Sequence, residues 1–163
     1  MRRDRVRQIV EQLALGVNVL VTGPRQIGKS TLFDKVLEAI DSYLYIETKK
    51  IGDSVYLHCN GQRAVIGRRT GDVMRVEKNG FDIASVALRD FLASDEVVLA
   101  IDEIGFLEAK ETEYLDLIVK CAQQKTLFAV VRENDHALKN RLAELQPYKL
   151  VRLNKLNNPI KLY

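Results

Sequence analysis

Between an apolar, β-branched run, Val17-Asn18-Val19-Leu20-Val21, and a helix-patterned stretch, 31–40, the chain reads Gly23-Pro24-Arg25-Gln26-Ile27-Gly28-Lys29-Ser30. This octet fits the pattern G-x-x-x-x-G-K-[ST], which works only where a strand runs through a tight loop into a helix. A short apolar run without alternation suits a parallel strand covered on both faces. Gly23 and Gly28 let the backbone wrap with its N–H groups turned inward, a nest for anionic oxygens at a helix N-terminus. Lys29 has the reach for β- and γ-phosphates, and the Ser30 hydroxyl suits Mg²⁺. Residues 23–30, with Thr31 opening the helix, are therefore the candidate nucleotide-binding loop.

The rest of the chain alternates strands and helices. Val6, Ile9, Val10, Leu13 and Ala14 fall on one face of a helix over 4–15, with Gly16 as its stop. Strands are expected at 43–47, 97–101, 127–131 and 148–153, and helices at 85–92, 115–122 and about 135–145, the last broken by Pro147. Residues 48–83 differ in kind. Asn60-Gly61 separates 55–59 from 64–66, and Asn79-Gly80 separates 73–76 from 81–83, so two antiparallel hairpins are expected. The pattern predicts an α/β, doubly wound, mainly parallel sheet in one domain over 1–163, with hairpins at 48–83 inserted into it or extending it.

Composition narrows the class. The chain has 163 residues, 47% hydrophobic and 29% charged, with a net charge of +3, the profile of a soluble globular domain. The one basic cluster, 1–7, reads best as the solvated face of a first helix, and nucleic acid is neither indicated nor excluded. Two cysteines, Cys59 and Cys121, lack metal-ligand spacing and suggest a reducing compartment. No stretch approaches a membrane span, so the expected location is the cytoplasm.

A second motif completes a site. Val98-Leu99-Ala100-Ile101-Asp102 has the form of a Walker B strand, and open α/β sheets place their ligands at such strand ends. Asp102 is expected to hold Mg²⁺ with Ser30, and Glu103 to orient the water that attacks the γ-phosphate. Capping of the next helix is the simpler role for both carboxylates.

Asp102-Glu103-Ile104-Gly105 with Glu108, some eighty residues after a Gly-Pro-x-x-x-Gly-Lys-Ser-Thr loop, resembles the small nucleoside-triphosphatase family of P-loop proteins called cancer-related or THEP-type NTPases. The resemblance extends over most of the chain. It implies a single P-loop domain hydrolysing ATP and other nucleoside triphosphates to diphosphate and phosphate with Mg²⁺, with little base preference. It further implies that Leu99, Ala100, Ile101, Asp102, Glu103, Ile104, Gly105 and Phe106 form the second wall of the site. The loop interior departs from the family: Arg25-Gln26-Ile27 stands where Pro-Gly and a small or branched residue are usual.

Arg132, at the end of the 127–131 strand, is the candidate cation for the transferring phosphoryl group, with a surface salt bridge as its simpler role. Arg68-Arg69 could reach over the site as a flap, or form a solvated turn. His58 and His136 are read as core or surface residues. Two rival functions remain open: a nucleoside or nucleotide kinase on the same scaffold, and a slow nucleotide-gated binding module.

Overall fold

The structure, a computed structural model, describes residues 2–132, 140, 141, 144 and 147–154. Helix α1 (Arg2–Ala14) leads through Gly16, at φ 77°, into β1 (Asn18–Thr22), and the loop that follows feeds α2 (Lys29–Glu38). Then come β2 (Tyr43–Ile51), β3 (Ser54–Cys59), β4 (Gln62–Thr70) and β5 (Val73–Val76). A 3-10 turn, Lys78–Phe81, opens α3 (Asp82–Ala93), followed by β6 (Val98–Ile104), α4 (Phe106–Lys110), α5 (Thr112–Gln124), β7 (Thr126–Val131) and β8 (Tyr148–Arg152).

All eight strands join one sheet in the order β5-β4-β3-β2-β6-β7-β1-β8. β2, β6, β7, β1 and β8 are parallel neighbours, so their carboxyl ends share one edge. The central strands explain why their sequences read as unbroken apolar runs. Leu20, Leu99, Ile101, Leu127 and Ala129 face α3 and α5, whereas Val19, Val21, Val98, Ala100, Phe128 and Val130 face α1 and α2. Each run is thus buried on both faces, with Phe33 of α2 stacked on Phe128 at 4.5 Å between centroids. Buried Asn18 ties the layers together: its amide donates to the Ala122 carbonyl at 3.1 Å and accepts from the Leu127 N–H at 2.8 Å.

The 48–83 region extends the sheet, because β2 runs on through Ile51 and pairs antiparallel with β3, β3 with β4, and β4 with β5. The Asn60-Gly61 hairpin forms as expected, both residues at positive φ (52° and 75°). The second expected hairpin does not. Residues 81–83 belong to the 3-10 turn and α3, and β5 pairs instead with β4 across Gly71-Asp72. Gly80 is there for space: a Cβ on it would lie 1.8 Å from the Val65 carbonyl oxygen, so the turn packs directly on β4. The link between β2 and β3, Gly52-Asp53, was likewise not foreseen; Gly52 and Gly71 adopt positive φ (61° and 65°). Helix α4 is a further unforeseen element.

The expected helix at 135–145 and His136 lie outside the described residues. Cys59 and Cys121 are free and buried. No described helix is long and apolar enough to cross a membrane.

Candidate functional site

The phosphate-loop segment turns at the carboxyl end of β1. Gly23 sits at φ 150°, and a Cβ on it would approach the Leu153 carbonyl oxygen to 2.7 Å, because the chain leaving β8 crosses there. Gly28 precedes α2 at φ 102°, and no side chain caps that helix start. The positive end of α2 thus points at the loop without a side-chain cap. Gln26 adopts φ 58° in the interior of the loop. Ile27 turns inward to the core under the loop, leaving the backbone as the loop's contribution above. Lys29 lies across the mouth, its Nζ donating to the carbonyls of Gly23 (2.6 Å) and Pro24 (2.9 Å).

Two strands away, β6 delivers the acidic pair to the same edge. The Ser30 hydroxyl donates to Asp102 Oδ2 at 3.0 Å. Burial pushes the Asp102 carboxyl up to about 6, opposed by the Ser30 hydrogen bond and reinforced by Glu103, Glu47 and Asp34. A half-desolvated carboxylate beside a hydroxyl, amid further carboxylates, is a hard-oxygen set suited to a divalent cation. Among the described residues no cluster of three or more metal-ligating side chains has the geometry to hold a metal by itself.

The pairing of β6 with β7 slips between Asp102 and Ile104, leaving Glu103 as the extra residue of a bulge. Gly105 then starts α4, and its N–H donates to Glu108 Oε2 at 3.0 Å. A Cβ on Gly105 would sit 3.3 Å from Glu103 Oε1 and 3.5 Å from Glu108 Oε2, so the two carboxylates flank the space a side chain would fill. Glu108 is buried, and burial raises it to about 7, partly offset by its hydrogen bonds to Gly105 and Thr48.

These groups share one cleft of about 800 Å³, lined by Gly23, Pro24, Arg25, Lys29 and Ser30 on one side and by Asp102, Glu103, Gly105 and Phe106 on the other. Arg132 also lines it, as expected from β7 lying beside β1, and its N–H donates to the Ile104 carbonyl at 3.2 Å. Of the expected second wall, Asp102, Glu103, Gly105 and Phe106 line the cleft. Leu99, Ala100, Ile101 and Ile104 are wholly buried and belong to the core, because a strand covered on both faces exposes only its end. His58 keeps to its strand, with a buried Nε2 that has no partner among the described residues.

Sequence reading passed over the third wall, apart from Arg69 in the candidate Arg68-Arg69 flap. Thr48, Lys50, Val55, Arg69 and Met74 bring β2–β5 into the cleft, and Asp34, Glu47 and Glu108 add carboxyl groups. Asp34 was findable, one helical turn beyond Ser30, as was Glu47, the last residue of the strand expected at 43–47 and paired with Asp102. The hairpin wall depended on which turns close at the loop's edge.

Known proteins share this fold. The structure of THEP1 from the hyperthermophile Aquifex aeolicus superposes with a TM-score of 0.69 at 20% identity, covering 90% of this chain and 95% of that one, a likeness of fold. A Pif1 helicase in a complex described for DNA unwinding matches at a TM-score of 0.44 and 16% identity, covering 91% of this chain and 42% of the helicase, too low to bear on the argument. No curated protein sequence matches the chain. Residues 18–161 match the protein family described as NTPase, and the chain, with its nucleotide-binding P-loop fold, belongs to that family.

Proposed function

We propose that the protein is a Mg²⁺-dependent nucleoside triphosphatase that converts ATP and other nucleoside triphosphates to diphosphate and phosphate. The observation that carries this reading is the meeting of Ser30 and Asp102 at 3.0 Å inside a cleft also lined by Lys29 and Glu103. The loop N–H groups and Lys29 bind the β- and γ-phosphates, Lys29 exchanging its two carbonyl contacts for contacts to anionic oxygens. Ser30 and Asp102 would hold Mg²⁺, which when bound with the nucleotide neutralises β- and γ-oxygen charge.

Glu103 orients a water and takes its proton as the water oxygen bonds to the γ-phosphorus. The bond from that phosphorus to the bridging oxygen breaks, and its electron pair leaves on the diphosphate. Arg132 stabilises the charge on the transferring group. Base recognition falls to groups outside this set, in keeping with turnover of several nucleotides.

The test is phosphate release from ATP, GTP, CTP and UTP at matched Mg²⁺, with Glu103→Gln and Lys29→Ala beside the wild type. Glu103→Gln is expected to keep nucleotide affinity while turnover falls by about a hundredfold or more, the size of a lost general base. Lys29→Ala should weaken binding itself. Unchanged phosphate release from Glu103→Gln, or ADP formation only when a nucleoside or nucleoside monophosphate is added, would overturn the reading.

A further inference from the structure

Arg68 and Arg69 stand side by side in sequence, yet β4 sends them to opposite faces. The pairing of β3 with β4 slips beside Val55 and Tyr56: Tyr56 faces Val65, whereas Val55 faces Gly67. Ile66 is the extra residue, and the slip resets the alternation for the rest of the strand. Gly67 therefore shares the cleft face with Val55, a Cβ on it meeting the Leu107 side chain at 2.6 Å. Counting on, Arg68 turns to the outer face and Arg69 back to the cleft face, opposite Met74. The contacts agree. Arg68 Nε pairs with Glu77 at 3.5 Å, whereas Arg69 lines the cleft with Met74, Val55 and Glu103. Among the described residues Arg69 takes no carboxylate partner.

Position along the strand matters equally. β4 ends, and β3 and β5 begin, at the edge where β1 and β6 end, so the turns at 52–53 and 71–72 close at the edge of the sheet that carries the phosphate loop. The Arg69 N–H donates to the Asp53 carbonyl at 2.7 Å, joining the two turns into one wall. With the β- and γ-phosphates on the loop and the attacking water at Glu103, in-line displacement puts the water on the side of the γ-phosphorus away from the loop. Arg69, Val55 and Met74 line the same cleft as Lys29 and Glu103. A guanidinium there offers two γ-oxygens a fixed planar fork of parallel N–H donors, whereas the neighbouring Lys50 ammonium is a compact point charge.

We infer that Arg69 is a further catalytic residue, reaching from the β4–β5 hairpin to the γ-phosphoryl group and stabilising it during transfer. The inference rests on the triphosphatase reading above. It makes the sheet extension part of the active site.

Wild type, Arg69→Ala, Arg69→Lys and Arg68→Ala would be compared in two assays: ATP turnover, and affinity for MgADP with and without aluminium fluoride, which mimics the transferring phosphoryl group. Arg69→Ala is expected to bind MgADP within about twofold of wild type but to lose about 10²–10³-fold in kcat and a similar factor in the tightening caused by fluoride, the scale of one lost transition-state hydrogen-bond donor. Arg69→Lys should fall between, and Arg68→Ala should match wild type. If Arg69→Ala keeps both kcat and the fluoride effect while wild type shows both, Arg69 is not catalytic and the triphosphatase reading stands. A wild type showing neither signal would overturn that reading and this inference together.

Discussion

The Ser30 hydroxyl donates to Asp102 Oδ2 at 3.0 Å, joining residues 72 positions apart. One opens the helix after the phosphate loop; the other ends β6, two strands away in the sheet. The bond counters the burial that raises Asp102, keeping its carboxylate easier to ionise. Ser30→Ala removes that help and one oxygen donor, and is expected to weaken Mg²⁺-nucleotide binding by about tenfold, the value of one hydrogen bond to a charged group. Asp102→Asn should cost at least as much, and the double variant less than the sum, because both act through one contact. Titration of Mg²⁺ at fixed nucleotide checks this; strict additivity would show the pair to be uncoupled.

Gln26 occupies a positive-φ position that glycine enters without steric cost. Gln26→Gly relieves this while adding unfolded-chain freedom, so stability should rise by less than about 1 kcal/mol. Gln26→Val adds a branched side chain and should lower stability by about 1–2 kcal/mol. Thermal melts of the three proteins give the order; a Gln26→Val protein as stable as wild type would contradict it.

Gly105 has φ −128°, a conformation any residue adopts, so glycine serves here only by leaving room beside Glu103 and Glu108. Gly105→Ala should fold normally yet displace the Glu103 carboxylate. Turnover is expected to fall by about tenfold or more, because small misplacements of a catalytic group are costly. Nucleotide affinity should hold. Steady-state kinetics with a parallel binding titration separates the two; unchanged kcat would show that Glu103 tolerates the methyl group.

Glu108 makes stability depend on pH. Its folded value, about 7, lies above the ordinary 4.5, so the native state holds a proton that the unfolded chain releases. Its contribution is fully present below about pH 4.5 and is lost as pH rises through 7, an effect of about 3 kcal/mol. Glu108→Gln keeps an oxygen for the Gly105 N–H without the buried charge. It should flatten the decline between pH 5 and 8 and exceed wild type in stability at pH 8. Denaturant midpoints across that range decide it, and parallel curves for the two proteins would refute the assignment.

How far the residues alone led can be judged element by element. The loop, the helix after it, and the buried strands at β1, β6 and β7 were legible because each carries its signal locally: glycines where backbone must turn, and apolar runs where both faces are covered. Asn60-Gly61 was legible for the same reason. Asn79-Gly80 misled because the dipeptide is equally at home in a helical turn, and what selected that turn was the bare approach of Gly80 to Val65. Leu99, Ala100 and Ile101 carried the buried-strand signal, and it was the family resemblance that set them and Ile104 on the wall of the site.

The amino-acid order by itself determined the phosphate loop, the acidic pair and the alternation that builds an α/β sheet, since these depend on neighbours within a few residues. Tertiary structure alone decided which groups meet across the cleft. Strand order carries Asp102 to Ser30, a one-residue slip between β3 and β4 turns Arg69 inward and Arg68 outward, and the close of β6 against α4 buries Glu108. Each follows from pairing between distant segments, where a change of one register reverses the face a side chain presents.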